Sequence, residues 1–90
     1  MKGFVKDPQA VLDYKFDWGP WLQNDTLATS TWIVESGIDV VPASESFDTT
    51  TTTVFLENGT EGENYSLTNR ITTAASRTDE RTVQIKVRQR

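Results

Sequence analysis

A two-residue alternation of apolar and polar side chains is the feature that most limits what this chain can fold into. Between residues 11 and 18, one face of an extended chain carries Leu12, Tyr14, Phe16 and Trp18. Successive side chains of a β-strand point to opposite faces, so this stretch predicts a half-buried strand. No apolar i, i+3, i+4 pattern is long enough for a substantial helix. The chain is therefore expected to be all-β.

The same alternation recurs along the rest of the chain. Further strands are predicted at residues 26–34, 38–43, 50–57, 65–73 and 81–88. Turn-forming residues separate them, including the pair Gly19-Pro20, the pair Ser36-Gly37 and a long acidic turn at 57–64. Six to seven short strands at this spacing predict an antiparallel β-sandwich, immunoglobulin-like or fibronectin-III-like. A small open barrel is the alternative.

Two aromatic residues make the sandwich prediction more specific. Tyr65 follows a glycine-containing turn and opens the penultimate strand, where sandwiches of this type often place a tyrosine whose hydroxyl bonds back to nearby backbone. Trp32, in the second long strand, fits the central core tryptophan. The predicted core consists of Tyr14, Phe16, Trp18, Trp21, Trp32, Tyr65, Ile71, Val83 and Ile85.

The stretch FDWGPWL places Trp18 and Trp21 three positions apart. Such a pair can form an aromatic platform for a sugar or a stacked base. It can also fill a small core, because each tryptophan buries roughly 150–250 Å². The alternation that ends at Trp18 favours the core interpretation, with Trp21 and Leu22 closing one end of the sandwich in a single helical turn.

The chain of 90 residues has the length of one domain. We assign residues 10–90 to the sandwich and residues 1–9 to an N-terminal arm. The arm carries Phe4 and Val5 ahead of any predicted regular strand. It is expected either to fray or to dock on a neighbouring subunit.

Composition argues against most catalytic and cofactor chemistry. The chain has no cysteine and no histidine, which excludes disulfides, histidine-based triads and His- or Cys-ligated metals within it. Asp13 and Asp17 lie four residues apart on one strand, roughly 13 Å, too far for a typical pair of glycosidase carboxylates. We therefore predict a protein that is not an enzyme and has no cofactor, no metal and no small-molecule substrate.

Charge and hydropathy limit the partners further. The net charge of −4 disfavours binding to nucleic acid, and no apolar run approaches a membrane span. Oxygen ligands in the acidic turn 57–64 raise the alternative of a calcium site, but their spacing matches no calcium loop and a solvated turn is favoured. The chain also begins without an apolar signal segment, which predicts a soluble cytoplasmic product.

Surface positions suggest how the chain contacts a protein partner. Phe55 points outward in the predicted register and is a candidate interface anchor, although a shift of one residue would bury it. A late basic group is either a solvated face or a contact for an acidic protein; it comprises Arg77, Arg81, Lys86, Arg88 and Arg90. The interface candidates are Lys6, Asp7, Phe55, Arg70, Arg81 and Arg88.

Three long segments carry a resemblance to a known family: KDPQAVLDYKFDWGPWL, DTLATSTWIV and NYSLTNRITTAASRTDERTVQIKVR. From about Lys6 to Arg88, the chain resembles small structural proteins of tailed phages and prophages, the fibre–tail adaptors. Its distinctive parts include Lys6-Asp7-Pro8, Asp17-Trp18 and Thr78-Asp79-Glu80-Arg81. Family members commonly have a shorter turn, richer in Gly and Thr, where this chain has ENGTEGENY.

The resemblance implies a non-enzymatic virion component with an immunoglobulin-like fold at the tail–fibre or head–tail junction. Its partners would be other phage structural proteins, with a homo-oligomeric ring as one arrangement, and assembly would take place in the host bacterial cytoplasm. Two alternatives remain open at this stage. One is an immunoglobulin-like module that recognises host-surface carbohydrate, and the other is a capsid decoration protein.

Overall fold

The chain folds into two packed β-sheets, as seen in a computed structural model that describes residues 3–6 and 10–88. Its elements, in chain order, are β1 (Gly3–Lys6), β2 (Leu12–Asp17), the helical turn α1 (Gly19–Leu22), β3 (Leu27–Val34), β4 (Ile38–Val40), β5 (Ser46–Phe47), β6 (Thr51–Asn58), β7 (Asn64–Thr73) and β8 (Thr78–Val87). In this part of the chain, no helix has the length and apolar character needed to cross a membrane.

The two sheets have the strand order of an immunoglobulin-like sandwich. The first, here called the β8 sheet, has the order β1-β8-β7-β3; the second, the β6 sheet, has the order β2-β6-β4, with β5 also paired to β6. Neighbouring strands are antiparallel except β1, which runs parallel to β8. The groups β3-β7-β8 and β2-β6-β4 correspond to strands CFG and BED of the immunoglobulin fold. The predicted all-β sandwich is confirmed.

Apart from one-residue shifts at strand ends, the structure differs from the predicted strands at four places. One is the last strand, β8, which begins at Thr78 rather than at residue 81 because Thr78 already pairs with Thr72 of β7. The third predicted strand ends at Val40 rather than residue 43, close to Pro42 and to Ala43, whose φ is 60°. The two-residue strand β5 was not predicted, because two residues carry no readable alternation. The N-terminal segment contains β1, although the sequence suggested no strand there, and pairing with Gln84–Val87 of β8 holds it in the sheet.

The core lies between the sheets and contains the aromatic residues that the alternation placed inward. Eight predicted core side chains are buried: Tyr14, Phe16, Trp18, Trp32, Tyr65, Ile71, Val83 and Ile85. Trp21 is partly buried against the same cluster. The Phe16 and Trp32 rings, from opposite sheets, have centroids 5.0 Å apart in a tilted arrangement, so aromatic contacts help to join the two layers.

Tyr65 forms the corner predicted from its position at the start of β7. Its hydroxyl accepts a hydrogen bond of 2.9 Å from the backbone N–H of Thr60, five residues upstream. Gly37 allows this ring to sit close to the backbone, since a Cβ at that position would lie 2.9 Å from Tyr65 Cε1. The tyrosine therefore ties the acidic turn between β6 and β7 to the sandwich.

Candidate interaction surfaces

The turn after β2 places both neighbouring tryptophans at one end of the sandwich. Pro20 lies at the start of α1, where a backbone N–H would have no acceptor within the helix. The missing N–H of proline therefore costs no helical hydrogen bond there. The N–H groups of Trp21 and Leu22 both donate to the Trp18 carbonyl at 3.0 Å. Trp18 itself is completely buried, and its ring meets the Trp21 ring edge-on at 5.6 Å. Trp18 therefore lies in the core rather than on an open surface.

Asn69 is a buried polar residue that connects the two sheets through its side chain. Its Oδ1 accepts hydrogen bonds from Trp18 Nε1 at 2.9 Å and from Thr52 Oγ1 at 2.7 Å. Its Nδ2 donates to Ser30 Oγ at 3.0 Å and to the Thr31 carbonyl at 3.1 Å. Buried polar groups need such partners, and here one amide satisfies groups from β3, β6 and the end of β2. The sequence prediction did not single out Asn69, although its inward position in the alternation of residues 65–71 is a signal that could have identified it.

Two residues of the late basic group lie over the tryptophan rings. Arg81 Cζ is 4.0 Å from the Trp18 ring centroid, and Arg81 Nη1 donates to the Asp17 carbonyl at 2.9 Å. Arg77 Cζ is 4.3 Å from the Trp21 ring centroid. A guanidinium over an aromatic face is attracted by the ring quadrupole. The guanidinium groups therefore occupy the ring faces on which a sugar or a base would stack. Both arginines make contacts within the chain.

Arg77 also binds the loop that follows α1. Its Nη2 donates to the Leu22 carbonyl at 2.7 Å, and its Nε lies 3.1 Å from Asp25 Oδ2. The pKa of Asp25 is lowered from its ordinary value of 3.8, first by a hydrogen bond from the Thr73 hydroxyl and further by backbone and Arg77 donors. This cluster closes the end of the sandwich around Trp21.

The remaining interface candidates occupy different environments. Lys6 is fully buried, and its Nζ donates to the Asn58 carbonyl at 2.6 Å, so it does not face a partner in this structure. The reason is the pairing of β1 with β8, which puts Lys6 beside the inward-facing Val87. Arg70 and Arg88 are both exposed, and Arg70 Nε lies 3.0 Å from Glu80 Oε2. Asp7 lies outside the described residues.

Phe55 lies on the outer face of the β6 sheet, in the register that the alternation predicted. Its side chain is 39% exposed, although β6 is the central strand of that sheet. On one side, β6 pairs with β2, where Asp13 lies opposite Phe55. On the other side, the Phe55 N–H donates to Ser44 Oγ at 3.2 Å. We call this outer surface the acidic face; its charged residues are Asp13, Lys15, Asp17, Asp39 and Glu57.

The outer face of the β8 sheet has the opposite character. Its threonines pair across strands, with Thr29 bonded to Thr72 and Thr68 bonded to Thr82. Ile33, directly opposite Thr68 in the register, is 49% exposed. We call this surface the basic face; its charged residues are Glu35, Arg70, Glu80, Lys86 and Arg88.

The described residues offer no arrangement typical of metal chemistry. Within residues 3–6 and 10–88, no three carboxylates come together as metal ligands. Two shallow cavities of about 350 Å³ and 250 Å³ lie beside Arg77 and Arg81 respectively. Arg77 lines the first and Arg81 lines the second, and these are the arginines that cover Trp21 and Trp18.

These features define the class of the protein: a small immunoglobulin-like β-sandwich with charged outer faces. Comparison with known family models matches residues 6–86 to the family described as "Podophage GP4 fiber-tail adaptor protein gp77". Because this match spans most of the chain, the chain belongs to that family of phage tail structural proteins, as the resemblance indicated. A comparison with curated proteins returned no match.

Proposed function

We propose that this chain is a non-enzymatic component of the phage particle that joins other structural proteins by docking, at the tail–fibre or head–tail junction. The observation that carries this proposal is the family match over residues 6–86, whose description names an adaptor between fibre and tail. An adaptor needs stable surfaces more than a reactive centre, and a sandwich whose two sheets are joined by core packing and by the Asn69 hydrogen bonds supplies them. The chain would act inside the virion, after assembly in the host bacterial cytoplasm.

Phe55 is the residue that we propose as the anchor of docking. Aromatic residues at the centre of an interface often contribute most of its binding energy. Phe55 is exposed on a central strand, and its backbone is held on both sides, so little ordering is required when a partner binds. Its carboxylate neighbours favour a partner surface with positive charge and disfavour nucleic acid.

The partners under this proposal are other structural proteins of the phage, and identical copies of this chain can form a ring among them. The buried Trp18 and the arginine-covered Trp21 give no support to a carbohydrate platform. Capsid decoration would use a similar sandwich, but it requires copies in the hundreds. Copy number in the particle therefore separates the two structural roles.

The test is quantitative mass spectrometry of purified particles that carry either the native chain or Phe55→Ser. We expect the native chain at a low copy number consistent with a symmetric ring, and loss of the Phe55→Ser chain from the particle. Phe47→Ser is the matched control, since Phe47 is similarly exposed at 44% but lies on the short edge strand β5.

Absence of the native chain from particles would contradict the adaptor role, and copies in the hundreds would replace it with decoration. The thermal midpoint of each purified variant is measured in parallel. The midpoint of Phe55→Ser should stay near that of the native chain, because the side chain is exposed. A large drop would assign the loss from particles to unfolding rather than to docking.

A further inference from the structure

The two outer faces of the sandwich carry opposite charge. On the acidic face, the carboxylates of Asp13, Asp17, Asp39 and Glu57 outnumber the amine of Lys15. On the basic face, the three cations Arg70, Lys86 and Arg88 outnumber the two carboxylates of Glu35 and Glu80. The chain as a whole has a net charge of −4, so the excess of cations on the basic face is a local feature that opposes the overall balance.

Each face also has an exposed apolar side chain. Phe55 is on the acidic face and Ile33 is on the basic face, both on strands of at least eight residues. Thr53 and the directly opposite Asp13 lie beside Phe55, and Thr31 and Thr68 lie beside Ile33. Each outer face therefore presents an exposed apolar side chain that the other face of a second copy can contact.

We propose that the acidic face of one copy of this chain docks on the basic face of a second copy, with Phe55 of one near Ile33 of the other. The inference rests on the proposed function in taking the Phe55 surface as an interface, and it names the occupant. Charge complementarity identifies a second copy as a suitable partner, because the same chain presents both surfaces.

The arrangement of the faces determines the kind of assembly. Two acidic faces repel each other, as do two basic faces, so a symmetric pair using one face twice is disfavoured. Contact between different faces leaves the pair with one free surface of each kind, the basic face of one copy and the acidic face of the other. Such head-to-tail contacts form a ring when the rotation between copies closes, and an open filament when it does not.

The test uses sedimentation of the purified full chain across a concentration series. The native chain should form species larger than a dimer, and added salt should weaken them, since salt screens exposed charges. Phe55→Ser and Ile33→Ser alone should each associate at least about tenfold more weakly. An equimolar mixture of the two should form a one-to-one dimer and nothing larger, because one intact acidic face meets one intact basic face.

Phe47→Ser is the control, because Phe47 lies on neither outer face, and it should assemble like the native chain. A native chain that stays monomeric at about 1 mM would overturn the inference, and so would a dimer that never grows. A mixture that stays monomeric would overturn it as well. A negative result in sedimentation would not change the outcome expected from mass spectrometry of the particles. Absence from particles would contradict the adaptor role without altering self-association in solution.

Discussion

At the scale of single residues, Asn69 has the most connections across the sandwich. A fully buried amide is costly unless its donors and acceptors are satisfied, and Asn69 has partners at both ends of its side chain. Trp18 and Thr52 depend on its oxygen for their own hydrogen bonds. The residue therefore joins the two sheets through hydrogen bonds at the end of the sandwich where Trp18 is buried.

Replacing Asn69 by alanine should destabilise the chain by about 3 kcal/mol, because it removes four hydrogen bonds and leaves Trp18 Nε1 and the Thr52 hydroxyl unpaired in the core. The measurement is urea unfolding followed by tryptophan fluorescence. Asn64→Ala, an exposed asparagine at the start of the same strand, should change stability by less than about 0.5 kcal/mol. Similar losses for the two variants would contradict the role of Asn69.

At the scale of elements, glycines permit close contact between the acidic turn and the strands. Gly59 has a φ of +101°, and a Cβ there would lie 2.8 Å from Cγ2 of the buried Val87. Gly62, three residues later, has a φ of +88° but no atom within 4 Å of the equivalent position. Both glycines therefore have a positive φ that other residues rarely adopt, but only Gly59 is packed against a neighbouring side chain.

Gly59→Ala should lose at least about 1 kcal/mol more stability than Gly62→Ala. Both variants incur the strain of a left-handed backbone, but only the first forces Val87 to move in a packed core. Thermal and urea unfolding of the two variants, compared with the native chain, measure the difference. Equal losses would mean that backbone conformation alone accounts for Gly59.

At the scale of the whole molecule, carboxylates at the turns connect stability to pH. Asp48 Oδ1 accepts from Thr50 N at 2.9 Å and from Thr51 N at 2.7 Å, where the chain enters β6. These backbone donors, Thr50 first, lower the pKa of Asp48 from its ordinary value of 3.8. The pKa of Asp25 is lowered as well, with the Thr73 hydroxyl as its first cause.

A carboxylate with a lowered pKa in the folded state stabilises that state above the unfolded pKa, and its contribution disappears as the pH falls through the folded pKa. We therefore expect stability to decline as the pH drops below 3.8. Asp48→Asn and Asp25→Asn should be less stable at neutral pH and should decline less steeply in acid. Urea midpoints between pH 7 and pH 2 are the measurement. Glu45→Gln, which removes an exposed carboxylate elsewhere, is the control. If both Asp variants lose stability in acid as steeply as the native chain, the assignment of the acid sensitivity to Asp25 and Asp48 is wrong.

The sequence by itself determined the all-β class, the longer strands β2, β3, β6, β7 and β8 with the face that each buries, the outward position of Phe55 and the tyrosine corner. These features depend on a period of two residues and on local turn chemistry, which are present in any short stretch of the chain. The family also followed from the sequence, because the matching segments run along nearly the whole chain.

Tertiary structure alone decided which strands pair and how the charged residues are used. Lys6 was predicted to be a surface cation, but the pairing of β1 with β8 places its side chain in the interior. Arg77 and Arg81 reach rings more than 50 positions away in the chain, and Asn69 joins three separate strands. The separation of charge onto two faces likewise emerges only when the strands assemble. Such contacts depend on long-range packing, and a local periodicity carries no information about the partner across the sheet.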